Sequence, residues 1–135
     1  MRGLTVVRVV SAAVLAGAVT IFGGVGFVGS VAALGGCSFD EAKAAQTARA
    51  KSLIAANCNA CHMIPGVSGA NGRVGPPLAG IASRQIIAGH FANTPDNLAN
   101  WIEHPQRMLP GDAMPEMGLS HEEAQTITSY LYTLD

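Results

Sequence analysis

Charge and aromatic residues are both scarce in this chain. Only 13% of its 135 residues are charged and only seven are aromatic. The formal net charge is −1, and no basic patch is interleaved with aromatics, so the electrostatic footprint of a nucleic-acid-binding protein is missing. Arg2 and Arg8 are the only charges before Asp40, and cysteine occurs three times. From Ser38 onward fewer than 100 residues remain, with one Trp and two Tyr. That is a thin apolar inventory for an independent core, and a domain of this size needs a staple. No residue pattern suggests chemistry on a bound substrate.

Two of the three cysteines fall in Cys58-Asn59-Ala60-Cys61-His62. Three residues apart on a helical turn, the thiols project from one face. A c-type haem presents two vinyl groups along one edge, which such a pair can capture. His62 then places a ring nitrogen under the iron as proximal ligand. The motif therefore reads as the covalent site of one haem c, and a buried porphyrin supplies the apolar bulk that the chain lacks. A zinc knuckle needs four ligands. Cys37 lies 21 residues upstream of Cys58, and no second Cys/His pair follows at short spacing. A thioredoxin-like site expects a βαβ pattern around the cysteines, and none is present.

The uncharged run from Val9 to Phe39 is mostly Val, Ala, Leu, Ile, Gly and Phe. It reads as an export signal or a membrane span rather than part of a soluble fold. Arginines at its N-terminal flank place that end in the cytoplasm and deliver the remainder outside. Leu34-Gly35-Gly36-Cys37 resembles a lipobox, which gives Cys37 a role as lipid anchor. Against this, the run exceeds a signal core of about 7–15 residues, and about 20 residues suffice to cross a bilayer. Lipid anchor, uncleaved helix and released form all stay open. The division is thus residues 1–37 as signal peptide with lipobox or transmembrane anchor, and 38–135 as the haem domain.

Ser38-Phe39-Asp40-Glu41 has the form of a capping box before an Ala-rich segment of high helix propensity. That helix delivers the haem motif at its C-terminal end. Residues 63–93 are rich in Gly, Pro, Ser and Asn and read as an extended loop wrapped around something. Ile81-Ala82-Ser83-Arg84 reads as a short helix within it. Arg84 has the fork geometry for a haem propionate, and His90 reads as a loop histidine. Thr94-Pro95 starts a helix with an N-cap and a proline at the first position. Leu98, Trp101 and Ile102 form its apolar stripe, and Pro105 ends it. Ser120-His121-Glu122-Glu123 is a second capping box, followed by Ala124, Ile127, Leu131 and Leu134 at amphipathic spacing. His104 and His121 read as exposed residues rather than ligands.

Cys58-x-x-Cys61-His62, Gly75-Pro76-Pro77-Leu78 and the segments after them resemble class I c-type cytochromes. The run Asn93-Thr94-Pro95-Asp96-Asn97-Leu98, Trp101-Ile102, Pro105-Gln106 and Pro110-Gly111 is most similar to the monohaem cytochrome c domain of bacterial haem–copper oxidase subunit II and related respiratory-complex subunits. The resemblance implies a small all-α fold of three to five helices wrapped around one covalent haem, preceded by a signal or membrane helix. It implies that the Pro76 carbonyl accepts a hydrogen bond from the second ring nitrogen of His62, which would orient the ring and raise its basicity. It places Leu78 on the porphyrin face and the Trp101 indole near a propionate. Within Gln106–Gly118 it assigns Met114, in the Met114-Pro115 step, as sixth iron ligand ahead of Met117 and Met108. In such proteins the C-terminal helix crosses the N-terminal one at a small residue and an aromatic. Here Ala50 and Ile54 hold the N-terminal helix positions, with Tyr130 available opposite.

With both axial positions assigned, the expected function is one-electron transfer through Fe(III)/Fe(II), not catalysis. The expected setting is the periplasmic face of a bacterial cytoplasmic membrane. The expected partner is a membrane respiratory complex, a haem–copper oxidase or quinol-oxidising complex, or a soluble redox protein. A haem subunit of a periplasmic dehydrogenase and a haem-based sensor are the alternatives. From Ser38 onward six Lys/Arg stand against nine Asp/Glu, a net charge of −3, so a strongly basic docking face is not expected.

Overall fold

A computed structural model describes residues 36–135. Residues 1–35, which contain most of the expected anchor, lie outside the described residues, as does the Cys37 side chain. Among the described residues no helix is long and apolar enough to cross a membrane. The domain is built from four helices: α1 (Gly36–Asn57), α2 (Pro95–Glu103), α3 (Pro105–Met108) and α4 (His121–Leu131). Between α1 and α2 runs a long irregular segment. It holds a single 3₁₀ turn, Ile81–Ser83, and a two-stranded antiparallel hairpin of β1 (Ile86–Ile87) and β2 (Phe91–Ala92).

Gly36 and Cys37, before Ser38, already belong to α1, so the first capping box lies within the helix instead of opening it. Alanine carries α1 where packing does not. Between Phe39 and Arg49 nearly every residue is exposed, and Phe39 itself is 79% exposed. Only the second half meets the core, through Ala50 and Ile54, one turn apart on the same face. Both are buried where α1 packs on α4. The small Ala50 brings the helices close. Tyr130 of α4 lies under the Lys51 ammonium, 5.6 Å from ring centroid to Nζ, and its hydroxyl donates to the Pro65 carbonyl at 2.8 Å. An exposed Arg49–Glu122 ion pair of 2.8 Å spans the same helices but contributes little in water.

The other two caps form as the residue types require. The Asn97 amide donates to Thr94 Oγ1 at 3.2 Å, with Pro95 as the first residue of α2. Ser120 and Glu123 exchange side-chain and backbone hydrogen bonds at the start of α4. α2 buries Leu98, Ala99, Trp101 and Ile102 against α4, which answers with Ala124, Ile127 and Leu131. α4 ends at Leu131, so Leu134, expected as the last residue of the helical stripe, packs from the tail beyond it. Pro105 ends α2 and at once starts α3, because a proline lacking its N–H is tolerated at a first helical position.

The hairpin has no strong sequence signal, since each strand is two residues long. Its turn is made by Ala88 and Gly89, both at positive φ (49° and 71°), and the His90 amide closes on the Ile87 carbonyl at 3.1 Å. This is the sense of twist that tight hairpins favour. Asn93 then pins the loop to the rest of the domain. Its Nδ2 donates to the carbonyls of Ile81 and Arg84, both at 2.8 Å, and its Oδ1 accepts from the Tyr132 hydroxyl at 2.9 Å.

A cluster at the end of α2 ties it to α4. Glu103 accepts from His121 Nδ1 at 2.7 Å and faces His104 Nε2 at 3.1 Å. The hydrogen bond from His121, with the nearby His104 and Arg107 charges, holds the Glu103 carboxyl below the usual glutamate range. His121 Nε2 in turn faces the Gln125 amide at 2.9 Å.

Ile54 has no exposed surface and sits at the centre of the α1–α4 contact. Ile54→Ala in the haem-loaded protein is expected to cost about 2–5 kcal/mol of unfolding free energy. Denaturant titration against Phe39→Ala, an exposed control expected to change stability by less than about 0.5 kcal/mol, checks this.

Candidate functional site

The site begins where α1 ends. The Cys58 amide still bonds to the Ile54 carbonyl at 2.8 Å, and the His62 amide bonds back to the Cys58 carbonyl at 2.9 Å. Helical winding therefore continues past the last residue of α1 and carries Cys58, Cys61 and His62 round one turn. Both thiols are free and half-buried. Burial, followed by the neighbouring Cys61, pushes the Cys58 thiol up to about 11. At neutral pH it is held as the protonated thiol.

The segment 71–78 is laid directly on this turn. Its amides bond to the carbonyls of the motif: Gly72 to His62 at 3.2 Å, Gly75 to Cys61 at 2.8 Å, and Leu78 to Met63 at 2.9 Å. Met63 and Asn71 also pair as an isolated antiparallel bridge. The approach leaves no room for side chains. A Cβ on Gly75 would lie 2.4 Å from Cε1 of the His62 ring, and one on Gly72 would lie 2.6 Å from the Ala60 carbonyl. Neither glycine has a positive φ, so closeness, not backbone twist, demands glycine at both positions.

This segment presents the Pro76 carbonyl to His62 Nδ1 at 2.8 Å. A carbonyl only accepts, so Nδ1 carries a proton, which leaves Nε2 as the ring nitrogen that can offer a lone pair to a metal. No hydrogen bond engages Nε2 among the described residues. The ring is thus oriented at one nitrogen and available as a donor at the other, which is the arrangement a metal-ligating histidine needs.

The remaining residues singled out in the sequence fall into two groups. Leu78 and Met114 are half-buried and pack against the core, as do Phe91, Met108 and Leu109. Trp101 is buried, with its ring 6.0 Å from that of Phe91, and no hydrogen bond takes up its indole N–H among the described residues. Arg84 is turned onto its own loop. Its Nη2 donates to the carbonyl of Pro77 and, at 3.0 Å, to that of Ala79, so one arm of the guanidinium holds backbone. Pro77 adjoins Pro76, and Arg84 thereby braces the stretch that carries the acceptor for His62. His90 is exposed against Phe91. His104 and His121 belong to the Glu103 cluster.

The methionine loop is held by a residue that the sequence named only within the Pro105-Gln106 step of the resembling run, with no role attached. Gln106, the second residue of α3, bonds to three points of the loop with one carboxamide. Nε2 donates to the carbonyls of Asp112 and Met114, both at 2.7 Å, and Oε1 accepts from the Gly111 amide at 3.1 Å. Asp112 Oδ1 accepts from the Met114 amide at 2.9 Å. A polar residue second in a four-residue helix carries no periodic signal, and only the folded loop reveals its reach.

The donor set decides which metal group fits. Among the described residues no group of three or more His, Cys, Asp or Glu side chains is arranged to hold a bare metal ion. A metal on His62 must therefore bring most of its own donors, as iron in a porphyrin does. Two thiols on one turn, a histidine with a fixed tautomer, a glycine-only cradle behind it and apolar side chains at the core margin all fit haem c.

A family model described as cytochrome c matches residues 47–135, and the chain belongs to that family. Its members bind haem covalently and transfer electrons through it. The chain is 33% identical over 79 residues to a cytochrome c oxidase subunit 2 of Alkalihalophilus pseudofirmus, covering 58% of this chain and 22% of that protein. It therefore spans under a quarter of the length of that relative. It is also 33% identical over 97 residues to a cytochrome c2 of Rhodopila globiformis, covering 62% of this chain and 89% of the relative. A cytochrome c2 of Agrobacterium tumefaciens is 33% identical over 90 residues, or 55% and 79% of the two chains.

Gly75→Ala should drive the His62 ring away from Pro76. The expected result is faster solvent exchange of the ring Nδ1 proton by NMR, with a stability loss of about 1–3 kcal/mol for the overpacked contact.

Proposed function

We propose that this chain is a membrane-tethered monohaem cytochrome that passes single electrons to, or within, a respiratory complex. The observation that carries the reading is the His62 ring, fixed by Pro76 at Nδ1 and free at Nε2, on the same turn as two free thiols. Haem c, when bound, supplies the Fe(III)/Fe(II) couple.

The chain's own residues then have separate tasks. Cys58 and Cys61, both free thiols on one turn, would hold the group covalently. His62 would hold the iron through Nε2, while Pro76 keeps the proton on Nδ1 and the ring at one angle. Met114 would hold the iron through its thioether, which would raise the potential relative to a harder donor. With His62 and Met114 both holding the iron, small ligands would find no open site, and the group would supply one-electron transfer. Leu78 and Trp101 line the apolar wall, with the Trp101 indole N–H as a donor toward a propionate. Arg84 serves the wall indirectly, through the carbonyls it braces.

The oxidase-subunit relative favours a haem–copper oxidase as partner, and the cytochrome c2 relatives favour a carrier that visits its partners. The apolar, nearly uncharged start of the chain, ending in Leu34-Gly35-Gly36-Cys37, supports a tether on the outer face of the cytoplasmic membrane, by lipid on Cys37 or by the uncleaved segment. The domain's net charge of −3, from six Lys/Arg and nine Asp/Glu after Cys37, favours a small and partly apolar contact over a strongly basic one.

Met114→Ala is expected to abolish the sulfur-to-iron charge-transfer band, lower the reduction potential and open the reduced protein to rapid CO binding. Retention of the band would put another ligand on the iron. Purification from native membranes in mild detergent, with partners and intact mass read together, tests the rest. Recovery in fixed ratio with a haem–copper oxidase or quinol-oxidising complex is expected, with a mass lacking residues 1–36 if Cys37 is lipid-modified.

A further inference from the structure

We infer that Gln106 is the positioning residue for the Met114 sulfur, holding the methionine loop at a fixed distance from the site through three hydrogen bonds of one carboxamide. The inference rests on the reading of Met114 as an axial ligand.

The loop from Leu109 to Leu119 has no regular secondary structure, so its backbone groups need partners from elsewhere. Gln106 supplies most of those around Met114. Its two amide protons go to the Asp112 and Met114 carbonyls, and its oxygen takes the Gly111 amide. Every one of these contacts suits the atom that makes it: two donors meet two acceptors, and one acceptor meets one donor. Asp112 Oδ1 completes the frame by accepting from the Met114 amide. The methionine backbone is therefore held on both its N–H and its C=O sides.

Gln106 can do this because its own position is secured. Pro105 is almost fully buried and starts α3, and α3 closes with the Leu109 amide on the Pro105 carbonyl at 2.8 Å. The Gln106 backbone amide, free at a helix start, is taken up by Glu116 Oε1 at 3.1 Å. The loop is thus fastened on both sides of Met114 to one residue of a short, proline-anchored helix. Gly111 at φ 85° and Gly118 at φ 68° make the corners that let it turn back. Glutamine is specific here. Asparagine is one methylene shorter, and glutamate of the same length replaces two donors with acceptors facing two carbonyls.

The two axial sides are built differently as a result. His62 is set by a backbone carbonyl on a segment pressed against its own turn, whereas Met114 is set by a side chain reaching across from α3. Substitution can remove the second support without touching the first.

The test compares haem-loaded wild type, Gln106→Ala, Gln106→Glu and Met114→Ala. In Gln106→Ala the charge-transfer band should weaken, the potential should fall, and CO binding to the reduced protein should speed up by about tenfold for one loosened set of hydrogen bonds. The His62 Nδ1–H signal should stay at its wild-type exchange rate. Gln106→Glu gives the discriminating signature. Protonated, the new carboxyl donates to one carbonyl and the band persists. Ionised, it faces the Asp112 and Met114 carbonyls, with the Asp112 and Glu116 carboxylates on the same loop and His104 and Arg107 beside it, and the band is lost. The difference between variant and wild type should therefore grow with rising pH. If Met114→Ala loses the band while both Gln106 variants keep the wild-type band, potential and CO rate, the inference about Gln106 fails alone. If Met114→Ala itself keeps the band, the ligand reading beneath it fails. Loss of far-UV helicity in Gln106→Ala along with the band would also overturn the inference, since Gln106 would then hold the whole domain and not the loop.

Discussion

The hydrogen bond between His62 Nδ1 and the Pro76 carbonyl is the contact on which the rest of the site depends. It sets the tautomer, leaves Nε2 as the donor atom and fixes the ring angle in one step. Its geometry requires the segment 71–78 to lie against the Cys-x-x-Cys-His turn closely enough that Gly72 and Gly75 have no space for a Cβ. Arg84 holds the end of that segment through the Pro77 carbonyl, Asn93 holds the backbone of Arg84 and Ile81 in turn, and Tyr132 ties Asn93 to the end of α4. A chain of ordinary hydrogen bonds thus runs from the tail of α4 to the loop that orients His62.

The helices form a scaffold with two working ends. α1 contributes little to the core along its first half and much at Ala50 and Ile54, just before the turn that carries the cysteines. α4 packs on both α1 and α2, so the helix that precedes the haem motif and the helix that leads through α3 to the methionine loop share one partner. The Glu103–His121 hydrogen bond reinforces the second junction and Tyr130 the first. An electron-transfer protein benefits from such bracing, because axial ligands that keep their places in both oxidation states leave little to reorganise.

Much of the local structure was legible in residue types. The Thr94-Pro95 and Ser120–Glu123 caps form because those side chains satisfy the open amides at a helix start, whatever surrounds them. The stripe Leu98, Trp101, Ile102 is buried because helical periodicity leaves it nowhere else to go. The box at Ser38 was misleading. Gly36 and Cys37 before it are already helical, so α1 runs through the box and Ser38 does not open it. Two-residue strands and a four-residue helix went unread because they are shorter than any period that would betray them.

The sequence by itself determined the chemistry: a Cys-x-x-Cys-His turn that selects haem c, glycines and prolines where a wrapping loop must pass, and methionines on a stiff loop. These follow from spacing and residue type over a few neighbouring positions, where sterics and local hydrogen bonding act. Tertiary structure alone decided which partner each polar side chain found. Arg84 turned to carbonyls of its own loop, Asn93 joined three segments, and Gln106 reached across eight residues to Met114. Such choices depend on which unpaired backbone groups the packed chain brings within about 3 Å, and that is settled only when the loops close on the helices.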